Sequence, residues 1–94
     1  MMNEYQINEN LTFDSVQRIY GDVLKWMAQH HEDNLQLDCQ NVAFTDSAGV
    51  AMLVELQRVM KSLYKKQLMM RVSQPIAQMI SFYDVEKIIG NPML

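Results

Sequence analysis

The sequence has a single cysteine, Cys39, so no disulfide can close within the chain. It has only three glycines, none of them clustered, which excludes a glycine-rich phosphate-binding loop. No apolar run approaches the ~20 residues that a membrane-spanning helix needs, so no direct membrane insertion is expected. Basic residues are outnumbered and form no stripe: the formal charge is −3, and nothing offers itself to a phosphate backbone. Nucleic-acid binding is therefore not expected. The opening segment MMNEYQINEN is polar and lacks the apolar stretch of a secretory signal. With the lone cysteine, this points to the cytoplasm. No acid–base pair or activated nucleophile can be assigned, so no enzymatic activity is expected. The run His30-His31-Glu32-Asp33 reads as a solvated helix end, because adjacent histidines rarely converge on one ion and no second cluster exists. Neither a metal nor a cofactor is implied.

What remains is an ordinary globular composition. The chain has 94 residues and is 49% hydrophobic, enough for one independently folding domain spanning residues 1–94. Tyr5, Ile7 and, after a polar gap, Leu11 suggest a first strand of low regularity. Asp14 or Ser15 can cap a helix in which Val16, Ile19, Tyr20, Val23, Leu24 and Met27 form one apolar face. Trp26 lies at the margin of that face. Leu35, Leu37 and Cys39 alternate with polar residues, as in a strand with one buried face. Val42 and Phe44 carry the apolar pattern on to Asp46.

From Ser47 to about Lys66 a helix follows, with Leu53, Leu56, Met60 and Tyr64 on one side. Leu68 to Val72 is a further short strand. Pro75 suits the first turn of a third helix carrying Ile76, Met79, Ile80 and Tyr83. Val85, Ile88 and Ile89 form a helical turn or a ragged strand, which Gly90 and Pro92 end. Alternating strands and helices imply an α/β layer with helices packed on a largely parallel sheet. Right-handed crossovers place consecutive helices on one side unless the strand order reverses. The expected core comprises Val16, Ile19, Val23, Leu37, Cys39, Leu53, Leu56, Met60, Ile76 and Ile80, with most of the methionines as filler.

The junction FTDSAGVAML carries the most information. Asp46 and Ser47 stand where a strand ends and a helix begins, among free backbone N–H groups at the positive end of the helix dipole. As a plain N-cap the pair is worth about 1 kcal/mol. The following residues suggest more. Gly49 projects to the buried side and permits close approach of the first turn. Ala48 and Ala51 project to solvent, with Met52 at the edge and Glu55, Arg58, Ser62 and Lys65 further along. A small, apolar outer face beside Ser47 is how a docking surface looks.

LQLDCQNVAFTDSAGVAMLVEL resembles the signature of the STAS domain family, which includes anti-sigma-factor antagonists and sulfate transporter tails. Asp38, Val42, Phe44, Asp46, Ser47 and Gly49 fill the family's positions. LTFDSVQRIY resembles the family's approach to its first helix. PIAQMISFYDVEKII is similar to the close of one subgroup, the small STAS subunit of Mla-type (toluene-tolerance) ABC transporters.

The resemblance implies an anti-sigma-factor-antagonist-like α/β fold with a mixed sheet of about four strands. Only about ten residues precede Leu11, so the family's first strand is missing or vestigial. In the transporter reading, the domain docks on an ABC transporter ATPase assembled with its permease, reaching the inner membrane only through that partner. Ser47 is then the centre of a surface comprising Thr45, Asp46, Ala48, Gly49, Ala51, Met52 and Glu55. In the antagonist reading, Ser47 is phosphorylated by an anti-sigma-factor kinase, and about two added negative charges release that partner.

Overall fold

The alternating stretch LQLDC becomes the central strand of the sheet. In the computed structural model, which describes residues 3–90, β1 (Asn3–Gln6), β2 (Leu35–Cys39) and β3 (Met69–Val72) pair in the order β1-β2-β3, all parallel. Tyr5 lies opposite Leu37, and Leu37 opposite Met70. The order does not reverse. Right-handed crossovers therefore bring α1 (Val16–Gln29) and α2 (Ser47–Tyr64) onto one face of the sheet, where they pack against each other. α3 (Gln74–Phe82) and the single turn α4 (Glu86–Ile89) pack against α2.

The α/β class and the missing strand are as expected, but the sheet has three strands among the described residues rather than four, and it is parallel rather than mixed. The reason lies at its start. β1 begins at Asn3, and the chain goes directly from this strand towards α1, leaving no described segment to pair antiparallel at that edge. The irregularity expected around Leu11 is real. Ile7 N–H donates to Asp38 O (2.9 Å), the chain then breaks step, and a single parallel bridge re-forms between Leu11 and Thr45.

Two further differences have local causes, and the form of the last element is decided. β2 is buried on both faces rather than one: Gln36 and Asp38 are each only 5% exposed. As the central strand it is flanked by neighbours on either side. Gln36 Nε2 donates to Glu4 Oε2 (2.8 Å), and Asp38 Oδ1 accepts from Gln40 N–H (2.9 Å). Of the two candidate caps, Ser15 takes the N-cap position and α1 starts at Val16, because Ser15 and Val16 N–H both fold back onto Thr12 O at 2.9 Å. Ser15 Oγ meanwhile accepts from Thr12 N–H and donates to Asn10 O (2.7 Å), so it closes this turn instead of capping the helix. The last element is a helical turn, ended by Gly90 in the left-handed conformation (φ 93°). Pro92 lies outside the described residues.

The apolar stripes meet as expected. Ile19, Val23, Leu37, Cys39, Leu53, Leu56, Met60, Ile76 and Ile80 are buried in one continuous core. Val16, assigned to that core from its spacing, is instead half-buried at the core's margin, at the first residue of α1, where the helix has only begun to meet α2. Trp26 is buried, with its indole N–H donating to Asn3 Oδ1 (3.0 Å) and its ring tilted against Tyr5. Gln57, a polar residue within the apolar stripe of α2, is fully buried. Its amide donates to Leu68 O (2.8 Å) and Ile89 O (2.7 Å) and accepts from Leu68 N–H (2.7 Å). One side chain thus joins α2 to the start of β3 and the end of α4.

Burial pushes the Cys39 thiol up to about 12 from an ordinary 9.0, with the neighbouring Asp38 charge adding to the effect. The folded pKa is the raised one. Between the two values the unfolded chain has lost a proton that the folded chain keeps, so folding stability is intact below pH 9 and falls as pH rises through that window. We expect a decline of about 1 kcal/mol per pH unit from this residue alone. Cys39→Ala should remove that component when urea unfolding is followed from pH 8.5 to 10.5. In native protein the thiol should resist alkylation at pH 8.5. Rapid alkylation of the folded wild type would contradict its burial.

Candidate functional site

Asp46 takes extended backbone angles and caps α2: its Oδ1 accepts from Ala48 N–H (2.9 Å) and Gly49 N–H (3.3 Å). Its second oxygen accepts from Phe13 N–H (3.0 Å) in the turn before α1. A single carboxylate therefore fixes the start of α2 and locks it to the start of α1. Ser47 follows as the first helical residue and is exposed. The capping bonds come from Asp46, so the Ser47 hydroxyl is not engaged as the cap. Of the pair, Asp46 is the cap, and Ser47 is left exposed beside it.

Behind this pair the packing is tight. Thr45 is 5% exposed, and its hydroxyl donates to Leu11 O (3.0 Å). Gly49 is buried against the same segment: a Cβ built there would collide with Thr45 Oγ1 and lie 2.8 Å from Leu11 O and 2.9 Å from Leu11 Cβ. The close approach expected of this glycine is thus real, and its contact is the Leu11–Thr45 bridge. Of the residues grouped around Ser47, Thr45 and Gly49 form the inner support of the junction, and Asp46 is its clasp.

The outer face consists of Ser47, Ala51 and Glu55, four residues apart and so in one row along α2, with Ala48 beside them. Ala51 is exposed, while Ala48 and Glu55 are partly covered. Met52, expected at the edge of the solvent face, is 5% exposed. It lies in the floor of a groove because α1 packs on that side of α2, which helical phase alone does not reveal.

Grooves flank the row on both sides. Between α1 and α2, Phe13, Val16, Tyr20, Ala48, Ala51 and Met52 line an open apolar hollow of about 390 Å³. On the other side Val50, Val54, Tyr83 and Val85 line a second, of about 280 Å³. Ala51 and Glu55 border both. Phe13 is 81% exposed at the mouth of the first groove, and Tyr83 is 43% exposed at the mouth of the second. Neither was singled out from the sequence as a site residue. The available signal was an aromatic residue interrupting a polar turn, TFDS in one case and FYD in the other.

The far end of the row is closed by charge pairing. Arg58 Nε donates to Glu55 Oε1 (2.9 Å), and Tyr20 hydroxyl donates to Glu55 Oε2 (3.5 Å). The hydrogen bond from Arg58 holds the Glu55 carboxyl below the usual carboxylate range. Burial, followed by the Glu55 charge, raises the Tyr20 phenol. Glu55 is thus a paired anion and Tyr20 a neutral phenol, arranged as a polar end to an apolar trough. Among the described residues no three His, Cys, Asp or Glu side chains gather as a metal site would require. The arrangement is suited to contact: a row of small residues with an apolar trough on each side.

The family model described as "Mlab, STAS domain" matches residues 6–91. No curated protein matches the chain.

Proposed function

The chain belongs to the STAS domain family, of the Mlab type, and from that premise we propose that it is a non-catalytic subunit that binds and supports the cytoplasmic ATPase of an Mla-type ABC transporter in intermembrane phospholipid transport. The observation carrying this reading is the exposed Ser47–Ala51 row with apolar grooves on both sides. Exposed apolar grooves beside small residues are the kind of surface on which a partner docks. No helix among the described residues is long and apolar enough to cross a membrane, so the domain would reach the inner membrane through the ATPase and its permease.

The alternative, an anti-sigma-factor antagonist switched by phosphorylation of Ser47, draws support from the exposed hydroxyl. Against it stands Asp46. The Ala48 and Gly49 N–H groups, which would steady a phosphate at this helix start, already bind its carboxylate. A phosphate would meet that charge instead.

Affinity purification from the native cell separates the two: an ABC ATPase with its permease supports the first, a small kinase the second. Ser47→Glu then tests the surface itself. A carboxylate at a helix start is compatible with the dipole, so the melting temperature should move by no more than about 2 °C. In a docked interface the same charge is desolvated without a partner, and affinity for the ATPase should fall roughly 30-fold or more. Ser47→Ala should leave the fold unchanged, since Asp46 supplies the cap, and should weaken binding less. Ala51→Lys should act like Ser47→Glu. Met52→Lys is not an equivalent probe, because it would place an ammonium in the floor of the groove and unsettle the fold. Wild-type affinity in Ser47→Glu would place the interface elsewhere.

A further inference from the structure

Resting on the docking reading above, we infer that the partner presents an amphipathic α-helix with basic borders, laid across α2 with apolar side chains in both grooves. The geometry of α2 carries the first half. Ser47, Ala51 and Glu55 form an i, i+4 ridge whose first two members are small, and each groove runs along one side of it. Helices pack by seating the ridges of one in the grooves beside a ridge of the other. Small residues on the central ridge let a helix axis approach closely, and two parallel troughs receive two neighbouring rows of its side chains. A helix with apolar residues at i, i+3, i+4 and i+7 supplies such rows. An extended segment has one row per face and would fill one trough only.

Charge decides the borders. Asp14 follows Phe13 at the mouth of the first groove, and Asp84 lies between Tyr83 and Val85 at the mouth of the second. Both are exposed, and among the described residues neither joins an ion pair. The nearby cations are largely committed: Arg58 to Glu55, and Arg18 to Glu9. Lys87, three residues beyond Asp84, is the exposed exception. An exposed, unpaired carboxylate thus neighbours in sequence the aromatic at the mouth of each trough, which favours lysine or arginine along both edges of the occupant. The same charges argue against a second copy of this chain, whose own Asp14 and Asp84 would be brought against these.

The test uses the ATPase that co-purifies with the chain. The photo-crosslinking residue p-benzoylphenylalanine replaces Phe13 in one variant and Tyr83 in another, two exposed aromatic positions where its added benzoyl group can extend outward without entering the core. Each complex is irradiated and the attachment site mapped by mass spectrometry. Both probes should attach within about two turns of one ATPase helix, with Lys or Arg at its edges. Attachment to a strand, a loop or two separate segments, with the ATPase still captured, overturns the helix and leaves the docking reading standing. No attachment to the ATPase by either probe, with both variants folded, removes the docking reading itself. Asp14→Asn and Asp84→Asn, which keep shape and tolerate the backbone (Asp84 φ 57°), should each lower affinity about 3- to 10-fold in dilute salt, and the loss should fade near 0.5 M salt. Unchanged affinity in the double variant overturns the basic borders.

Discussion

Gln57→Leu should destabilise the domain by about 3–5 kcal/mol, even though leucine is similar in volume and more apolar. The side chain is fully buried and uses its whole amide: two donations, to Leu68 O and Ile89 O, and one acceptance, from Leu68 N–H. Leucine leaves these three backbone groups buried without a partner, at about 1–3 kcal/mol each before relaxation. The transfer gain from an apolar side chain recovers only part of this, so the polar effect wins. For a domain of this size the loss corresponds to a fall in melting temperature of roughly 15–25 °C. Hydrogen exchange should locate the damage, with protection lost first at Leu68 and in Glu86–Ile89 while β1 and β2 hold. A loss below about 1 kcal/mol would mean that water or a rearranged α4 satisfies those groups without the amide.

Gln57 also marks the limit of what the sequence could reveal. Its position was visible: it follows Leu56 and precedes Met60 in the apolar stripe of α2, and a polar residue there is a signal in itself. Its partners were not visible, because Leu68 and Ile89 reach it only through the packing of three separate elements. The same division holds elsewhere. Helical period placed Leu53, Leu56 and Met60 in the core, since that depends only on one helix having a buried side. It misjudged Met52 and Val16, whose exposure depends on where α1 meets α2. Strand alternation found β2 and missed the burial of Gln36 and Asp38, because alternation reports polarity and not centrality in a sheet.

At the junction, residue type identified the pair but not the roles within it. Asp and Ser are both good caps, and only the distances from Asp46 Oδ1 to Ala48 and Gly49 N–H assign the cap and release Ser47. The second groove was illegible for a different reason. Tyr83 and Val85 reach α2 through the turn after α3, where Asp84 takes a left-handed conformation that no periodicity announces.

Gly49→Ala should be destabilising by about 2–4 kcal/mol, against the usual sign of that substitution in a helix. Alanine in place of a helical glycine ordinarily gains up to about 1 kcal/mol, through propensity and reduced freedom of the unfolded chain. Here the new Cβ would overlap Thr45 Oγ1 and stand 2.8 Å from Leu11 O and 2.9 Å from Leu11 Cβ. The hydroxyl cannot simply swing aside, because it is buried and donates to Leu11 O. Leu11 O is equally fixed, accepting from Asp46 N–H (3.1 Å) within the bridge. Relief therefore requires the first turn of α2 to move away from the bridge. That displaces Asp46 from Phe13 N–H and with it the relative placement of the two groove walls.

Two measurements follow from one cause. Melting temperature should fall, and affinity for the proposed ATPase partner should fall with it even at temperatures where the variant is fully folded. Thr45→Ala removes the worst overlap but leaves both Leu11 contacts, so in the double variant it should recover part of the Gly49→Ala loss. The interaction free energy from the double-mutant cycle should be about 1 kcal/mol in the rescuing direction. A stabilised or neutral Gly49→Ala would show that the turn accommodates a methyl group, and would remove close approach as the reason for glycine at this position.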